Sequence, residues 1–225
     1  MGKLPRLEDV RKAVLKPAEC IWMYNYRRLT TRITRYIVVT DIKANHITFL
    51  SFLFALSSAY LFSLGHYKYF IIGAIFMQVG YLFDLIDGEI ARFKKQASKF
   101  GQWFDNSTDV FGQIAIIIGI TLGVFRIIGK DMVLLLGLFA IVNQFLNMYI
   151  RMLNDKVFYS PDNKRPEDFA IGKRFYFGYE GTMYFIITVM AFLNLMYYAL
   201  LFFSTIWGLI WIKKVFNVLI SKRNT

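Results

Sequence analysis

The sequence predicts an all-α integral membrane protein, with six transmembrane helices preceded by an amphipathic interfacial helix. Three observations predict it. The 225 residues are 56% hydrophobic and 18% aromatic, which is too apolar for an ordinary soluble domain of that length. The apolar residues gather into runs that match the roughly 20 residues a helix needs to cross a bilayer. On the six-helix layout all but three of the 27 lysines and arginines fall on one side, the asymmetry that short cytoplasmic loops carry.

Residues 1–46 read as a cytoplasmic and interfacial segment, and residues 47–220 as the transmembrane domain. Residues 1–20 hold no apolar core ahead of a cleavage site, so no signal peptide is expected. Cys20 is the single cysteine, which excludes an intramolecular disulfide and a multi-cysteine zinc site. After Pro17, the residues Trp22, Tyr26, Leu29, Ile33, Tyr36 and Ile37 recur at helical spacing, with Arg28, Arg32 and Arg35 on another side. A basic helix rich in Trp and Tyr lies in the headgroup plane.

Four apolar runs follow, at residues 47–65, 69–90, 103–128 and 132–150, each one helix. The third carries Gly119 and Gly123, a small-xxx-small pair that lets a backbone approach closely, from a neighbouring helix or a second subunit. The polar stretch 154–178 is broken by Pro161, Pro166 and Gly172. Residues 181–212 contain no charge and are too long for one span and slightly short for two. Asn194 marks the turn between a fifth and a sixth helix. With the N-terminus inside, only Lys68, Arg126 and Lys130 lie on the outer face. A multi-pass cell-membrane protein is expected, with both termini and the active site facing the cytoplasm. The net charge of +12 then belongs to one face, which meets anionic headgroups and phosphorylated substrates rather than nucleic acid.

Against this background the stretch YLFDLIDGEIARFKKQASKFGQWFDNSTD, residues 81–109, places four aspartates where membrane helix is expected. If the second helix runs past residue 90, Asp84, Asp87, Gly88 and Ala91 share one face. In the third helix Gly101, Asp105, Thr108, Asp109 and Gly112 do the same. The connection KKQASK, 94–99, is short enough to make these faces neighbours, so four carboxylates can converge. Each ionised carboxylate deep in a membrane costs about 2.5–3.5 kcal/mol on insertion scales, and the cluster repels itself. Divalent cations relieve both problems, and an all-oxygen ligand set favours Mg²⁺ or Mn²⁺ over Zn²⁺. The small residues leave room for a ligand against the backbone, and Arg92 offers a fork for phosphate. His46 and His66, at opposite ends of the first span, are too far apart to share a metal. Glu89 points about 140° from the aspartate face and reads as a packing or loop contact. The sequon NST at 106–108 lies inside the proposed site and is discounted.

The spacing Asp84, Asp87-Gly88, Ala91-Arg92, Gly101, Asp105, Asp109 resembles the signature of the CDP-alcohol phosphotransferases at every fixed position. The resemblance implies a membrane enzyme that moves a substituted phosphate from a CDP-linked donor to an alcohol and releases CMP. It also implies that Asp84, Asp87, Asp105 and Asp109 hold two divalent ions, with Asp109 the general base. Gly88, Ala91, Arg92, Ser98 and Gly101 would line the cytidine diphosphate pocket. Family members usually carry Pro-Asn before the first span and Thr soon after; here KANHIT supplies Asn45 and Thr48, with Ala44 in place of Pro. A homodimer is the expected assembly.

A site at the membrane boundary suits a CDP-lipid donor, and makes phospholipid biosynthesis the expected role. Members that make inositol-phosphate or glycerol-phosphate products must hold a second phosphate near the metals. Arg151, Lys173 and Arg174 are placed to do so, which favours inositol phosphate as acceptor. Serine, glycerol phosphate and a soluble CDP-polyol donor are the alternatives within this chemistry. An ion or proton transporter using intramembrane carboxylates is the alternative of another class. It would spread its carboxylates across the bilayer, whereas these gather at one face beside Gly88 and Arg92.

Overall fold

In the computed structural model, residues 4–14, 19–158, 170–171, 175–176 and 179–221 are described. Two helices, α1 (Leu7–Val14) and α2 (Ile21–Ile37), precede the long ones. Then come α3 (Ala44–Ser63), α4 (Tyr67–Phe93), α5 (Lys99–Ile128) and α6 (Met132–Phe158). The chain ends in α7 (Tyr179–Phe192), α8 (Met196–Ser204) and α9 (Ile206–Ser221). Among the described residues three two-residue strands, β1 (Glu19–Cys20), β2 (Ala170–Ile171) and β3 (Phe175–Tyr176), form a small sheet in the order β1-β3-β2. β1 pairs parallel to β3, and β2 antiparallel to it.

Among the described residues five stretches are long and apolar enough to cross a membrane: Ala44–Ser63, Tyr67–Phe93, Lys99–Ile128, Met132–Ile150 and Met196–Ile220. The sequence reading has six spans, and the difference lies in α7, whose apolar part, Gly181–Phe192, is shorter. At 1.5 Å per residue its 14 residues reach about 21 Å, less than the roughly 30 Å of a hydrocarbon core. Asn194 does turn the chain. It adopts a left-handed φ of 57°, which Asn tolerates better than most residues, and the Leu195 N–H closes the turn on the Met190 carbonyl. The last span is helical on both sides of a break at Thr205, whose hydroxyl donates to the Leu201 carbonyl.

The helices close into a ring. α3 packs between α4 and α5, α6 packs on α5, α8 and α9, and α7 joins α8 back to α4. The interior is an apolar cluster that includes Phe62, Phe70, Met77, Ile116, Met183 and Phe203. Outward faces carry exposed Phe49, Leu53, Leu122, Leu135, Leu138 and Phe139, the surface expected of helices facing lipid tails. Polar groups hold the buried contacts: the Ser58 hydroxyl donates to the Gly73 carbonyl, and the Ser51 hydroxyl to that of Gly80. Gln144 bridges Gln113 of α5 and Trp207 of α9, donating to the first and accepting from the second.

Gly119 and Gly123 pack a neighbouring helix of the same chain. A methyl at 119 would collide with the Ala59 carbonyl, and one at 123 with the Phe62 carbonyl. The C-terminal half of α5 therefore lies backbone to backbone on α3.

α2 turns a partly polar side to the bundle. Ile33 and Ile37 do pack inward, against Ala44, Ile47, Ile86 and Ile90. Leu29 and Tyr36, from the apolar face the spacing predicts, are exposed, while Arg27, Thr30, Thr31 and Thr34 are buried. Tyr26 donates to Gln78 of α4, and burial raises its phenol above the ordinary value, which keeps it a donor. The reason is a polar partner on α4, since a buried carboxylate and amide there recruit hydroxyls and a guanidinium in place of leucine. α2 is thus packed along α4 as well as amphipathic.

Candidate metal centre

The C-terminal end of α4 and the N-terminal end of α5 build the site. α4 runs on to Phe93, which puts Asp84, Asp87, Gly88 and Ala91 on one face. Five residues later Ser98 caps α5, its hydroxyl accepting from the Gly101 N–H at 3.0 Å, a role Ser fills well. This starts α5 within a short turn of the end of α4, antiparallel to it. Lys94 secures the turn by donating to the Thr40 and Ile42 carbonyls at 2.6 and 2.8 Å.

Asp84, Asp105 and Asp109 each direct a carboxylate oxygen into one place, with these atoms within 4.8 Å of one another. The fourth aspartate stands beside the three. Asp87 is 4% exposed, faces the Thr48 hydroxyl, Asp105 and Arg92, and its Oδ2 is buried with no hydrogen-bond donor among the described residues. Three converging carboxylates and an orphaned carboxylate oxygen next to them fit a hard divalent cation, which takes oxygen ligands and offsets the repulsion. Beneath them Thr48, Ser51, Tyr81, Thr108 and Tyr184 line a cavity of about 20 Å³, room for a single water.

Some of the residues expected around a nucleotide are neighbours, in two groups. A methyl on Gly101 would sit 3.1 Å from the Ser98 hydroxyl and 3.3 Å from Asn45 Oδ1, so these three are neighbours. A methyl on Gly88 would sit 3.1 Å from Arg92 Nη1, so the guanidinium lies over Gly88. Thr48 stands beside Asp87 and lines the cavity, while Ala91 packs against Ala44, Ile47, Ile86 and Ile90. Of the residues expected to hold a second phosphate, Arg151 belongs to α6, while its side chain and the whole of Lys173 and Arg174 lie outside the described residues.

The sequence did not reveal Tyr81 and Tyr184, whose rings pack 5.1 Å apart at the cavity. Nor did it reveal how Glu89 is used. This carboxylate is fully buried on the far side of α4, accepting from Thr30 and Thr34. A signal was present in Arg27, Thr30 and Thr34, polar residues sharing a helical face beside the apolar one.

A helical bundle with several apolar spans here gathers carboxylates near a glycine and a guanidinium, a lining whose chemistry fits a hard cation and a phosphate. Residues 42–219 match the CDP-alcohol phosphatidyltransferase family, and the chain belongs to it. It is 34% identical over 117 residues to the archaetidylinositol phosphate synthase of Pyrococcus horikoshii, covering 52% of this chain and 54% of that protein. It is also 34% identical over 91 residues to the bifunctional IPC transferase and DIPP synthase of Aquifex aeolicus, covering 40% of this chain and 20% of that one. The match thus spans about half of the first relative and a fifth of the second. Among solved structures, the Mycobacterium tuberculosis phosphatidylinositol phosphate synthase PgsA1 with CDP-DAG bound superposes with a TM-score of 0.67 at 18% identity, over 84% of this chain and 92% of that one. The same protein in complex with manganese and citrate gives 0.61 at 19% identity, over 83% and 88%. At these identities the likeness establishes the fold.

Proposed function

We propose that the protein is a divalent-metal-dependent CDP-alcohol phosphotransferase, moving a phosphatidyl-type group from a CDP-linked lipid to a polar alcohol and releasing CMP in phospholipid synthesis. The observation that carries the reading is the convergence of Asp84, Asp105 and Asp109 beside Asp87, Gly88 and Arg92. Inositol phosphate is the acceptor we favour, since both a curated relative and the structural neighbour are named for inositol-phosphate products.

Asp84, Asp87, Asp105 and Asp109 would hold two Mg²⁺ or Mn²⁺ ions. When bound, such ions neutralise the diphosphate and the charge on the departing CMP. The chain does the rest. Gly88, Ala91 and Gly101 leave room for the nucleotide against the backbone, where Asn45, Thr48 and Ser98 offer polar contacts. Arg92 lies over Gly88, where it can pair with a donor phosphate. Asp109 accepts the proton of the acceptor hydroxyl as that oxygen attacks phosphorus and the bond to CMP breaks. Arg151, Lys173 and Arg174 would bind the acceptor's own phosphate. The chain works as a homodimer of multi-pass protomers, with residues 1–46 interfacial, residues 47–220 catalytic, and the site facing the cytoplasm.

Acceptor choice is tested by CMP release from CDP-diacylglycerol in proteoliposomes, with inositol phosphate, inositol, glycerol phosphate and serine offered in parallel. Release with inositol phosphate alone is the expected result; release with only another alcohol overturns that assignment. Gly88→Ala probes the donor side. The added methyl displaces a flexible guanidinium rather than backbone, so melting should hardly change. The KM for the CDP donor should rise roughly tenfold, the scale of one hydrogen bond to a charged group.

A further inference from the structure

We propose that Glu89 is a positioning residue for the carboxylate cluster. By locking α2 onto the back of α4, it sets the rotation at which Asp84 and Asp87 face α5. The proposal rests on the reading of the aspartates as a cation site.

Both oxygens of Glu89 are committed, and to different turns of α2. Thr30 donates to Oε1 at 2.7 Å and Thr34 to Oε2 at 2.6 Å, while Arg27 Nη1 stands 3.5 Å from Oε1. Glu89 is 0% exposed and Arg27 5% exposed. Eleven residues earlier, three turns along the same face of α4, Gln78 accepts from Tyr26 of α2 and donates to Thr188 of α7. The Lys94 side chain ties the end of α4 to the linker that follows α2. α4 is therefore held from behind at three levels.

Asp84 and Asp87 lie on the other side of the same helix, about 140° and 200° around from Glu89. A turn of α4 by one residue, 100°, would swing both carboxylates away from Asp105 and Asp109. Ile33, Ile37, Ile86 and Ile90 pack between α2 and α4, but apolar contacts of this kind tolerate sliding. The polar bonds do not, because one register alone gives each Glu89 oxygen its threonine. A buried ion pair is a poor way to gain stability compared with apolar residues of the same volume, and its best-attested use is to fix register. Here the register being fixed is that of the helix carrying half of the carboxylates.

The test uses full-length protein in nanodiscs, Mn²⁺ as the probe, and electron paramagnetic resonance of free Mn²⁺ as the readout. Glu89→Gln and the double variant T30V/T34V are compared with wild type, alongside their melting curves. Mn²⁺ affinity should weaken about tenfold or more, the range reported by groups that orient metal ligands without touching the metal, in protein that still melts cooperatively. Glu89→Asp, which keeps the charge, should fall between wild type and Glu89→Gln. If Glu89→Gln does not fold, T30V/T34V, which keeps the ion pair, decides the question by the same readout. Wild-type Mn²⁺ affinity in the folded variants overturns the positioning role alone. No Mn²⁺ binding by the wild type overturns the cation site, and the proposal with it.

Discussion

Asp109→Asn lowers CMP release by about 10²–10⁴-fold, the range that a positioned acid–base group contributes. The substitution keeps shape and volume and removes the proton acceptor. Asp109 also stands within 4.8 Å of Asp84 and Asp105, so its loss has a second route to low activity, through weakened Mn²⁺ binding. The two separate on titration. Activity lost because the cation binds poorly returns as Mn²⁺ is raised; activity lost because no group takes the acceptor proton does not. The expected outcome is a rate that stays low at saturating Mn²⁺, together with an Asp84→Asn variant that is largely rescued there. Full CMP release by Asp109→Asn on any acceptor would remove Asp109 from the role of base.

The second large effect is structural. Gly119→Leu or Gly123→Leu drives a side chain into the Ala59 or Phe62 carbonyl, and a carbonyl inside a helix cannot give way as a side-chain tip can. The cost is about 3 kcal/mol, the upper end of ordinary overpacking, and monodisperse protein should be lost from detergent extracts. Gly112 offers a graded control, because a methyl there meets the Ala55 side chain at 3.1 Å. Gly112→Ala should therefore melt closer to wild type than Gly119→Ala. Equal melting of the two would show that the close approach of α3 and α5 is not what these glycines serve. The functional consequence follows from the same packing, since α3 carries Asn45 to Gly101 and Thr48 to the cavity that Asp84 and Asp109 line.

What could be read from the chain, and what could not, divides along the range of the interactions. Membrane helices announce themselves through local hydropathy, and the turn at Asn194 through one polar residue in an uncharged run. The aspartate faces follow from helical periodicity and a short connection, both local. Asp87 standing beside the other three carboxylates depends on how α4 is rotated, which no spacing reveals. The partner of Gly119 and Gly123 was open in the sequence because a small-residue stripe is equally suited to a neighbour within the chain and to a second copy. The Glu89 clamp joins residues more than fifty positions apart. Its members, two threonines and an arginine beside an apolar stripe, look like solvated positions until the carboxylate they serve is known. Which side of α2 is buried against the bundle is decided by α4, so Leu29 and Tyr36 stay exposed while Arg27, Thr30 and Thr34 are buried.

The most direct test measures CMP release from a panel of CDP-alcohols by the reconstituted protein, with Mn²⁺ or Mg²⁺ supplied or chelated. Release that requires the divalent ion, and is lost when Asp84 and Asp105 are both changed to Asn, is the expected result. Release that continues unchanged under chelation, or no turnover with any CDP-alcohol, would contradict it.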